Sequence, residues 1–177
     1  MNTKFQIIKA DITKLAVDAI INPANKTLLG GMGLDGAIHK AAGPFLLDEC
    51  RMLKGCGVGE AKMTKGYELP AKYIIHTVGP VWRGGGFDEE ILLARCYNSC
   101  LGLAIKKRIK TLAFPSVATG VYGFPVFKAA PTVLNEVKNF VSANDVFEKI
   151  IFVLFSDHDL AEYKHWYQVV FQQKYED

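Results

Sequence analysis

The sequence predicts an α/β fold in which a largely parallel β-sheet is covered by helices on both faces. Short apolar runs rich in β-branched residues alternate along the chain with longer stretches whose apolar residues recur at helical spacing. Several of the strand candidates contain continuous apolar runs, as in sheets that are buried on both faces. The chain has 177 residues, of which 50% are hydrophobic and 22% charged, and no linker or composition shift divides it. We therefore expect one domain over residues 1–177.

The first part of the chain contains two predicted strands and one predicted helix. Residues 5–10 and 17–21 are short runs rich in β-branched residues, and both are predicted strands. Residues 36–52 form a predicted helix because their apolar residues fall on one stripe. Pro44 lacks a backbone N–H donor, so we expect it to bend or interrupt that helix.

The middle of the chain continues this alternation. Residues 62–69 and 73–78 are predicted strands separated by a turn at Pro70. A helix is predicted over 89–107, and a short strand over 111–114. Sheets of this kind bind their ligands beyond the carboxyl ends of the strands, so the loops that leave the strands are the places to look for a site.

The last part completes the pattern with a helix, a strand and a helix. Residues 126–141 are predicted to be helical, and residues 149–155 are the most apolar of the predicted strands. A closing amphipathic helix is marked by Leu160, Tyr163, Tyr167, Val170 and Phe171.

The four cysteines indicate a reduced, intracellular protein. They stand at positions 50, 56, 96 and 100 without a CxxC pair. Cys96 and Cys100 share a helix face with apolar residues, and we interpret them as core residues instead of metal ligands. The N-terminus lacks a signal peptide, and no apolar run approaches the roughly 20 residues that span a bilayer. We therefore expect a cytoplasmic protein without a membrane partner.

The charge of the chain is mildly basic. A net charge of +3 suits a small anionic ligand. The basic cluster at 106–110 is interpreted as a solvated helix end, so no nucleic-acid partner is expected. A binding constant for nucleic acid that does not depend on salt would dismiss such a partner.

Three glycines mark the loop that leads from the second predicted strand into the following helix. Gly30, Gly31 and Gly33 allow backbone N–H groups to approach a phosphate, and the helix N-terminus adds partial positive charge. From the local sequence alone, Asp35 is expected to be the N-cap of that helix. The GxGxxG match over 31–36 is not interpreted as a nicotinamide-binding fingerprint, because it lies too far beyond the strand and no acidic residue ends a second strand about 20 residues later.

A second glycine-bearing loop, residues 115–125, also leads from a strand to a helix. Ser116 and Thr119 offer hydroxyl groups, and Gly120 and Gly123 keep backbone amides accessible. Two such loops at one sheet edge suit a diphosphate better than a single phosphate. The alternative is that both loops are ordinary turns.

Three further residues have two possible interpretations each. Asp11 follows the first strand and could accept a hydrogen bond from an exocyclic amine, whereas the local sequence alone makes it the cap of a short turn. Phe155 ends the last strand and could stack on a heterocycle, whereas by its type alone it belongs to the core. His76 is interpreted as a hydrogen-bonded core residue instead of a base. The sequence has no GxSxG, GxxxxGK[ST] or HExxH motif.

Taken together, the segments of this chain resemble a macrodomain, specifically the MacroD-type ADP-ribosyl hydrolases. The resemblance covers essentially the whole length, with several long motifs in the right order. The segments that carry it are 10–13, 17–25, 30–43, 66–70, 75–80, 114–125 and 150–155. It implies a three-layer α/β/α sandwich around a mixed, mostly parallel sheet, with ADP-ribose as the ligand.

The resemblance also implies which residues bind this ligand. At the adenine end, Asp11 would contact the amino group beside the Ile12 amide, and Phe155 would stack on the ring. The two glycine loops would hold the pyrophosphate and the distal ribose between them. Their residues are Gly31, Met32 and Gly33 in the first loop and Ser116, Thr119, Gly120, Val121 and Tyr122 in the second.

Asn25 and Asp35 are the catalytic residues that the resemblance implies. Asn25 would position the distal ribose, Asp35 would align or activate the attacking water, and Phe124 would pack over that ribose. Met32 replaces a glycine of the family pattern, and such a change can narrow the loop and slow or redirect catalysis. The other departures are Ala10, Pro23 and Ala118.

The resemblance therefore implies a hydrolase that releases ester-linked groups from the distal ribose, with no metal or cofactor required. The substrate class stays open between mono-ADP-ribosylated Asp or Glu on proteins and O-acetyl-ADP-ribose, for which the activity would be that of a deacetylase. A helix N-terminus would lower the pKa of Asp35 and a nearby pyrophosphate would raise it. The alternative function is a non-catalytic reader that binds ADP-ribose through the same loops. We expect a monomer.

Overall fold

Six strands pair into one mixed sheet in the computed structural model, which describes residues 2–176. The strands are β1 (Lys4–Lys9), β2 (Ala19–Pro23), β3 (Ala61–Lys65), β4 (Tyr73–Thr77), β5 (Thr111–Pro115) and β6 (Lys149–Leu154). They lie side by side in the order β1-β6-β5-β2-β4-β3. Neighbouring strands are parallel except β3 and β4, which are antiparallel. The predicted α/β class with a mostly parallel sheet is confirmed.

Helices cover both faces of this sheet. They are α1 (Gly33–Ala42), α2 (Phe45–Leu53), α3 (Glu89–Lys106), α4 (Val126–Ala143) and α5 (Asp157–Phe171), with a short 3-10 helix over Ile12–Lys14. Successive side chains of a strand point to opposite faces. Ile20 accordingly packs in the core that includes residues of α1 and α2, and Ile21 packs in the core that includes residues of α3, α4 and α5. The three layers that the resemblance implies are therefore present.

The predicted helix over 36–52 is two helices. They are α1 and α2, and they are separated at Gly43 and Pro44. Gly43 has a φ of +82°, which lies in the region that favours glycine, and the chain turns there. The expected interruption at Pro44 is confirmed, and the helical region begins at Gly33, before the predicted start.

The predicted strand over 62–69 ends at Lys65. Gly66 comes so close to the Ala71 carbonyl oxygen that a side chain at Gly66 would overlap it. The N–H of Gly66 donates to the Lys72 carbonyl oxygen (2.8 Å). The chain therefore reverses direction at this tight turn, which only a residue without a side chain can occupy at position 66.

Two sequence interpretations of buried residues are confirmed in the core. Cys96 and Cys100 are fully buried in the core that α3 shares with the sheet. His76 is fully buried on β4 and is hydrogen-bonded there. Among the helices of residues 2–176, none combines the length and the hydropathy of a membrane span.

The carboxyl ends of β1, β6, β5 and β2 form one edge of the sheet, because these neighbouring strands are parallel. The first loop, residues 24–32, leaves β2 and enters α1. The second loop, residues 116–125, leaves β5 and enters α4. Both glycine loops and the residues that follow β1 and β6 therefore lie along this edge, where ligands of such sheets bind.

Candidate functional site

The first loop is held in place by its own polar groups and by a buried side chain. Asn25 Nδ2 donates to the Gly30 carbonyl oxygen (2.9 Å), and Asn25 Oδ1 accepts from the N–H of Thr27 (3.1 Å). The Leu28 side chain is fully buried and anchors the middle of the loop. Gly30 has a φ of +86°, which favours glycine. These contacts fix the loop without the help of a ligand.

Helix α1 begins at Gly33, and this corrects the role expected for Asp35. The N-cap residue is Met32, which makes no side-chain capping bond, and Asp35 lies inside the first turn. The prediction that Asp35 caps the helix is therefore wrong. Within residues 2–176 the N–H groups of Gly31, Met32 and Gly33 donate to no protein acceptor. They are available to an anion at the helix N-terminus.

Gly36 explains why the helix can begin this early. A side chain at Gly36 would overlap the Gly31 carbonyl oxygen, so the first loop packs directly on the backbone of the first helical turn. Met32 has an extended backbone, with a φ of −93°, which any residue adopts. Its side chain is 83% exposed and projects into solvent. In this structure it does not fill the space beside the loop.

Gly31 brings the two predicted catalytic residues together. A Cβ atom at Gly31 would lie 3.2 Å from Asp35 Oδ2 and 3.4 Å from Asn25 Nδ2. Because glycine has no Cβ, the space beside Gly31 is within reach of one carboxylate oxygen and one amide donor. A water molecule or a ligand hydroxyl placed there can donate to Asp35 and accept from Asn25.

Asp35 is buried, with 6% of its surface exposed. Its Oδ1 accepts from Asn22 Nδ2 (2.8 Å), and His39 Nε2 lies 3.5 Å from the same oxygen. Burial raises the pKa of Asp35, and the opposing effects of the Asn22 hydrogen bond and of His39 are smaller. Oδ1 is therefore fixed, whereas within residues 2–176 Oδ2 accepts no hydrogen bond. A raised pKa makes this carboxylate a better proton acceptor than an exposed aspartate.

A buried polar cluster behind Asp35 was not predicted as part of the site. Asn22 Nδ2 also lies 3.1 Å from His76 Nδ1, and since an amide nitrogen donates, Nδ1 accepts. The proton of His76 is then on Nε2, which donates to Thr64 Oγ1 (2.9 Å). Burial, and secondarily His39, lowers the pKa of His76 to about 3, so this ring is neutral.

The sequence contains a signal for one member of this cluster but not for the others. His39 stands four residues after Asp35, and that spacing places the two side chains on one helix face. Asn22 and His76 are paired across β2 and β4, a register that the sequence does not reveal.

Two buried tyrosines hold the start of the second loop. The Tyr97 hydroxyl donates to the Pro115 carbonyl oxygen (2.9 Å), and the Tyr163 hydroxyl lies 3.3 Å from Ser116 Oγ. Thr119 Oγ1 donates to the Ser116 carbonyl oxygen (2.9 Å). Both hydroxyl groups that the sequence singled out therefore have protein partners, and they stabilise the loop.

The tip of the second loop offers backbone donors. Within residues 2–176 the N–H groups of 119–122 donate to no protein acceptor. Val121 is 86% exposed, and a Cβ at Gly120 would have no neighbour within 4 Å. Phe124 is 1% exposed, and its ring centroid lies 4.7 Å from that of Trp82. Little of the Phe124 ring is thus available to a ligand in this structure, and its contact with a sugar stays a prediction.

The opposite end of the edge carries Asp11 and Phe155. They follow β1 and β6, which pair up to Lys9 and Leu154. Asp11 caps the short 3-10 helix by accepting from the N–H of Thr13 (3.0 Å), as the local sequence predicts. The prediction that Phe155 belongs to the core is wrong. β6 ends at Leu154, and Phe155 is 93% exposed beyond the end of the strand.

This end of the edge can therefore contact a heterocycle through a ring face and a carboxylate. The Ile12 side chain is buried, which leaves its backbone N–H as the group next to Asp11. That these residues bind adenine stays a prediction. Within residues 2–176, no three His, Cys, Asp or Glu side chains are grouped as metal ligands would be.

Comparison with known proteins identifies what this chain is similar to. The Macro domain family matches residues 21–133. The Macro domain-containing protein CT2219 of Chlorobaculum tepidum is 56% identical over 163 residues, which cover 92% of this chain and 95% of that protein. Human ADP-ribose glycohydrolase MACROD2 is 50% identical over 168 residues. That match covers 93% of this chain and 39% of the human protein, so the chain spans well under half of it.

A solved structure shows the same fold. A mutant of the Oceanobacillus iheyensis macrodomain, solved with ADPR, superposes with a TM-score of 0.93 at 40% sequence identity. The superposition covers 97% of this chain and 96% of that chain. The order of strands, the two glycine loops and their edge therefore belong to an architecture that is already known.

Proposed function

This chain belongs to the Macro domain family, and we propose that it binds ADP-ribose along the described edge and hydrolyses esters of the distal ribose. The observation that carries the proposal is the convergence of Asp35 Oδ2 and Asn25 Nδ2 on the space beside Gly31. That the human relative is named an ADP-ribose glycohydrolase, and that the bacterial relative was solved with ADPR, supports the choice of ligand and reaction class.

The order of groups along the edge matches the order of groups in ADP-ribose. Phe155 and Asp11 at β6 and β1 would take the adenine. The exposed backbone N–H groups of the two loops would take the diphosphate, because they lie at a helix N-terminus and a loop tip and donate to no acceptor in the described part of the chain. The distal ribose would then lie beside Gly31, next to the amide of Asn25.

Water is the second reactant, and Asp35 would position it. Oδ1 is fixed by Asn22, so Oδ2 has a defined direction in which to accept a hydrogen bond from a water molecule. As the water oxygen bonds to the carbonyl carbon of the ester, one of its protons passes to Asp35. The bond between that carbon and the ribose oxygen then breaks, and Asp35 returns the proton to the departing ribose oxygen. The products are a free carboxylic acid and ADP-ribose. The residues of this chain thus bind the substrate, orient the water and carry one proton.

An Asp35→Ala variant tests the proposal. We expect it to bind ADP-ribose in calorimetry with an affinity close to that of the unmodified chain, because the N–H groups of the loops do not depend on this side chain. We expect hydrolysis of O-acetyl-ADP-ribose and of a glutamate-linked ADP-ribosylated protein to fall about 100-fold or more. Full hydrolysis by this variant would contradict the assignment of Asp35. Binding without turnover by the unmodified chain would instead identify a reader.

A further inference from the structure

A pocket of about 250 Å³ lies next to both glycine loops. Its wall includes Lys26, which follows Asn25 in the first loop, and Tyr122 from the second loop. The residues that follow β4 form another part of the wall, among them Val81 and Arg83. Through Lys26, the wall of the pocket includes the residue next to Asn25 in the first loop.

The strand order shows on which side of the two glycine loops the pocket lies. Along the edge, β1 and β6 carry the residues expected to bind adenine, and β5 and β2 carry the two glycine loops. The next strand in the same direction is β4, and residues 78–81 and Arg83, which follow it, line the pocket. The pocket is thus on the far side from the adenine end. A group esterified to the distal ribose would emerge there.

The far wall of the pocket is a loop with a fixed shape. The Trp82 N–H donates to the Tyr122 carbonyl oxygen (2.8 Å), which joins this wall to the second loop. Glu89 is 2% exposed, and its carboxylate accepts from the N–H groups of Arg83 (2.9 Å), Gly85 (3.1 Å) and Phe87 (2.7 Å). The carboxylate of Glu89 is therefore hydrogen-bonded to the backbone of this loop and is not exposed to a ligand in the pocket.

The accessible charges of the pocket are positive. Lys26 and Arg83 are both exposed, and within residues 2–176 neither side chain lies within 4 Å of a carboxylate. The Arg83 guanidinium carbon lies 5.8 Å from the centroid of the Phe87 ring, which supports its position over the pocket. Val81 and Phe87 are 49% and 61% exposed and add apolar surface.

From this placement we propose that the pocket binds the peptide segment around an ADP-ribosylated residue and favours segments in which further Asp or Glu residues flank it. The proposal rests on the proposed function and selects the protein-linked substrate class. Lys26 and Arg83 supply the charge complementarity, since acidic flanks would meet two cations that have no carboxylate partner within residues 2–176. The exposed apolar surface would contact the chain of the segment.

The test compares two synthetic peptides that carry ADP-ribose on the same glutamate, one flanked by glutamates and one by lysines. We expect the unmodified chain to bind and cleave the glutamate-flanked peptide better. Arg83→Glu should change the ratio of kcat/KM for the two peptides by about 10-fold in favour of the lysine-flanked one, and Arg83→Gln by about half of that on a logarithmic scale. The same change is expected in the ratio of dissociation constants. Hydrolysis of O-acetyl-ADP-ribose, which has no flanking segment, should not change.

Lys107→Glu is the matched control. It makes the same kind of charge reversal just beyond the other end of the 18-residue helix α3, about 27 Å from the start of that helix. We expect Lys107→Glu to leave the ratio of kcat/KM for the two peptides unchanged. Any change that it does cause measures the effect of net charge alone and is subtracted from the effect of Arg83→Glu. If Arg83→Glu behaves like Lys107→Glu while the free ester is still hydrolysed, the pocket does not recognise acidic flanks and the inference is overturned. If the unmodified chain does not bind ADP-ribose at all, the proposed function fails and the inference fails with it.

Discussion

Replacing Asp35 by asparagine should make the protein more stable at neutral pH and less active. The asparagine keeps an oxygen that can accept from Asn22, so the contact of 2.8 Å is retained. The group that faces Gly31 becomes an NH₂, which cannot take a proton from water. We expect hydrolysis to fall about 100- to 10,000-fold, the range that a positioned general base contributes.

The sign of the stability change follows from the direction of the pKa shift. Burial raises the pKa of Asp35 above its value in the unfolded chain, about 3.9. A carboxyl group of this kind favours the folded state most when it is protonated. That contribution is complete below about pH 4 and is lost as the pH rises through the folded-state pKa. Asp35→Asn should therefore raise the Tm at pH 7 and have little effect near pH 3.

Asp18 provides a matched control with the opposite sign. Burial alone would raise its pKa, but hydrogen bonds from Lys72 and from the N–H groups of Lys110 and Thr111 lower the pKa of Asp18 to about 2. Its side chain is 21% exposed. Discounting the shift for solvent screening, the ionised form contributes about 1–2 kcal/mol to folding at neutral pH. Asp18→Asn should lower the Tm at pH 7 by about 3–6 °C, and the difference should disappear as the pH falls from about 4 to about 2.

Thermal unfolding of the three proteins across this pH range, followed by circular dichroism, checks both signs in one experiment. A loss of stability in Asp35→Asn at pH 7 like that of Asp18→Asn would refute the reasoning. It would mean that the surroundings of Asp35 stabilise its charge. A gain that persists unchanged at pH 3 would refute it as well, because a protonated carboxyl group has no buried charge to remove.

Three further predictions concern the loops and the exposed ring. Gly36→Ala should destabilise the protein by about 1–3 kcal/mol in urea unfolding, because its side chain would overlap the Gly31 carbonyl oxygen. Gly102 lies on α3 with no atom near its Cβ position, so Gly102→Ala should instead stabilise the protein by about 0.5–1 kcal/mol. Equal effects of Gly36→Ala and Gly102→Ala would contradict the contact between Gly36 and the Gly31 carbonyl oxygen. Phe155→Ala should change the free energy of unfolding by less than about 0.5 kcal/mol, since the ring is 93% exposed. It should weaken the binding of ADP-ribose at least about 5-fold in calorimetry, whereas the binding of ribose 5-phosphate should stay the same. An equal loss for both ligands would show that the ring does not stack on adenine. Met32→Ala should change turnover less than about 3-fold because that side chain is 83% exposed, and a larger gain would show that Met32 restricts the loop.

The elements and the place of the site could be predicted from the sequence because their signals are local. Apolar periodicity located the strands and helices, and the break at Pro44 followed from its missing N–H donor. The two glycine loops were recognisable because each follows an apolar strand and precedes a helical stripe. Parallel strands then place both loops at one edge without further information.

The errors arose where a contact between distant groups decides the structure. The local sequence predicts Asp35 as an N-cap, but the packing of Gly36 on the Gly31 carbonyl lets the helix begin before it. Phe155 continues an apolar run, so its residue type predicts a core position. The strand ends one residue earlier, at Leu154, and leaves the Phe155 ring in solvent. In both cases the pattern along the chain was correct and the boundary was off by one to three residues, which was enough to change the role of a side chain.

The buried cluster behind Asp35 shows how this protein can keep a carboxylate both buried and basic. A lysine or arginine beside Oδ1 would lower the pKa of Asp35 and make it a weaker base. An apolar residue there would leave Oδ1 without a hydrogen bond inside the protein. Asn22 avoids both outcomes, because its neutral amide donates to Asp35 and also to His76 Nδ1. His76 can accept that bond because burial keeps the ring neutral, with a pKa of about 3, and its own proton goes to Thr64. Replacing Asn22 by a cation should therefore cost activity through the pKa of Asp35 even though the carboxylate itself is still present.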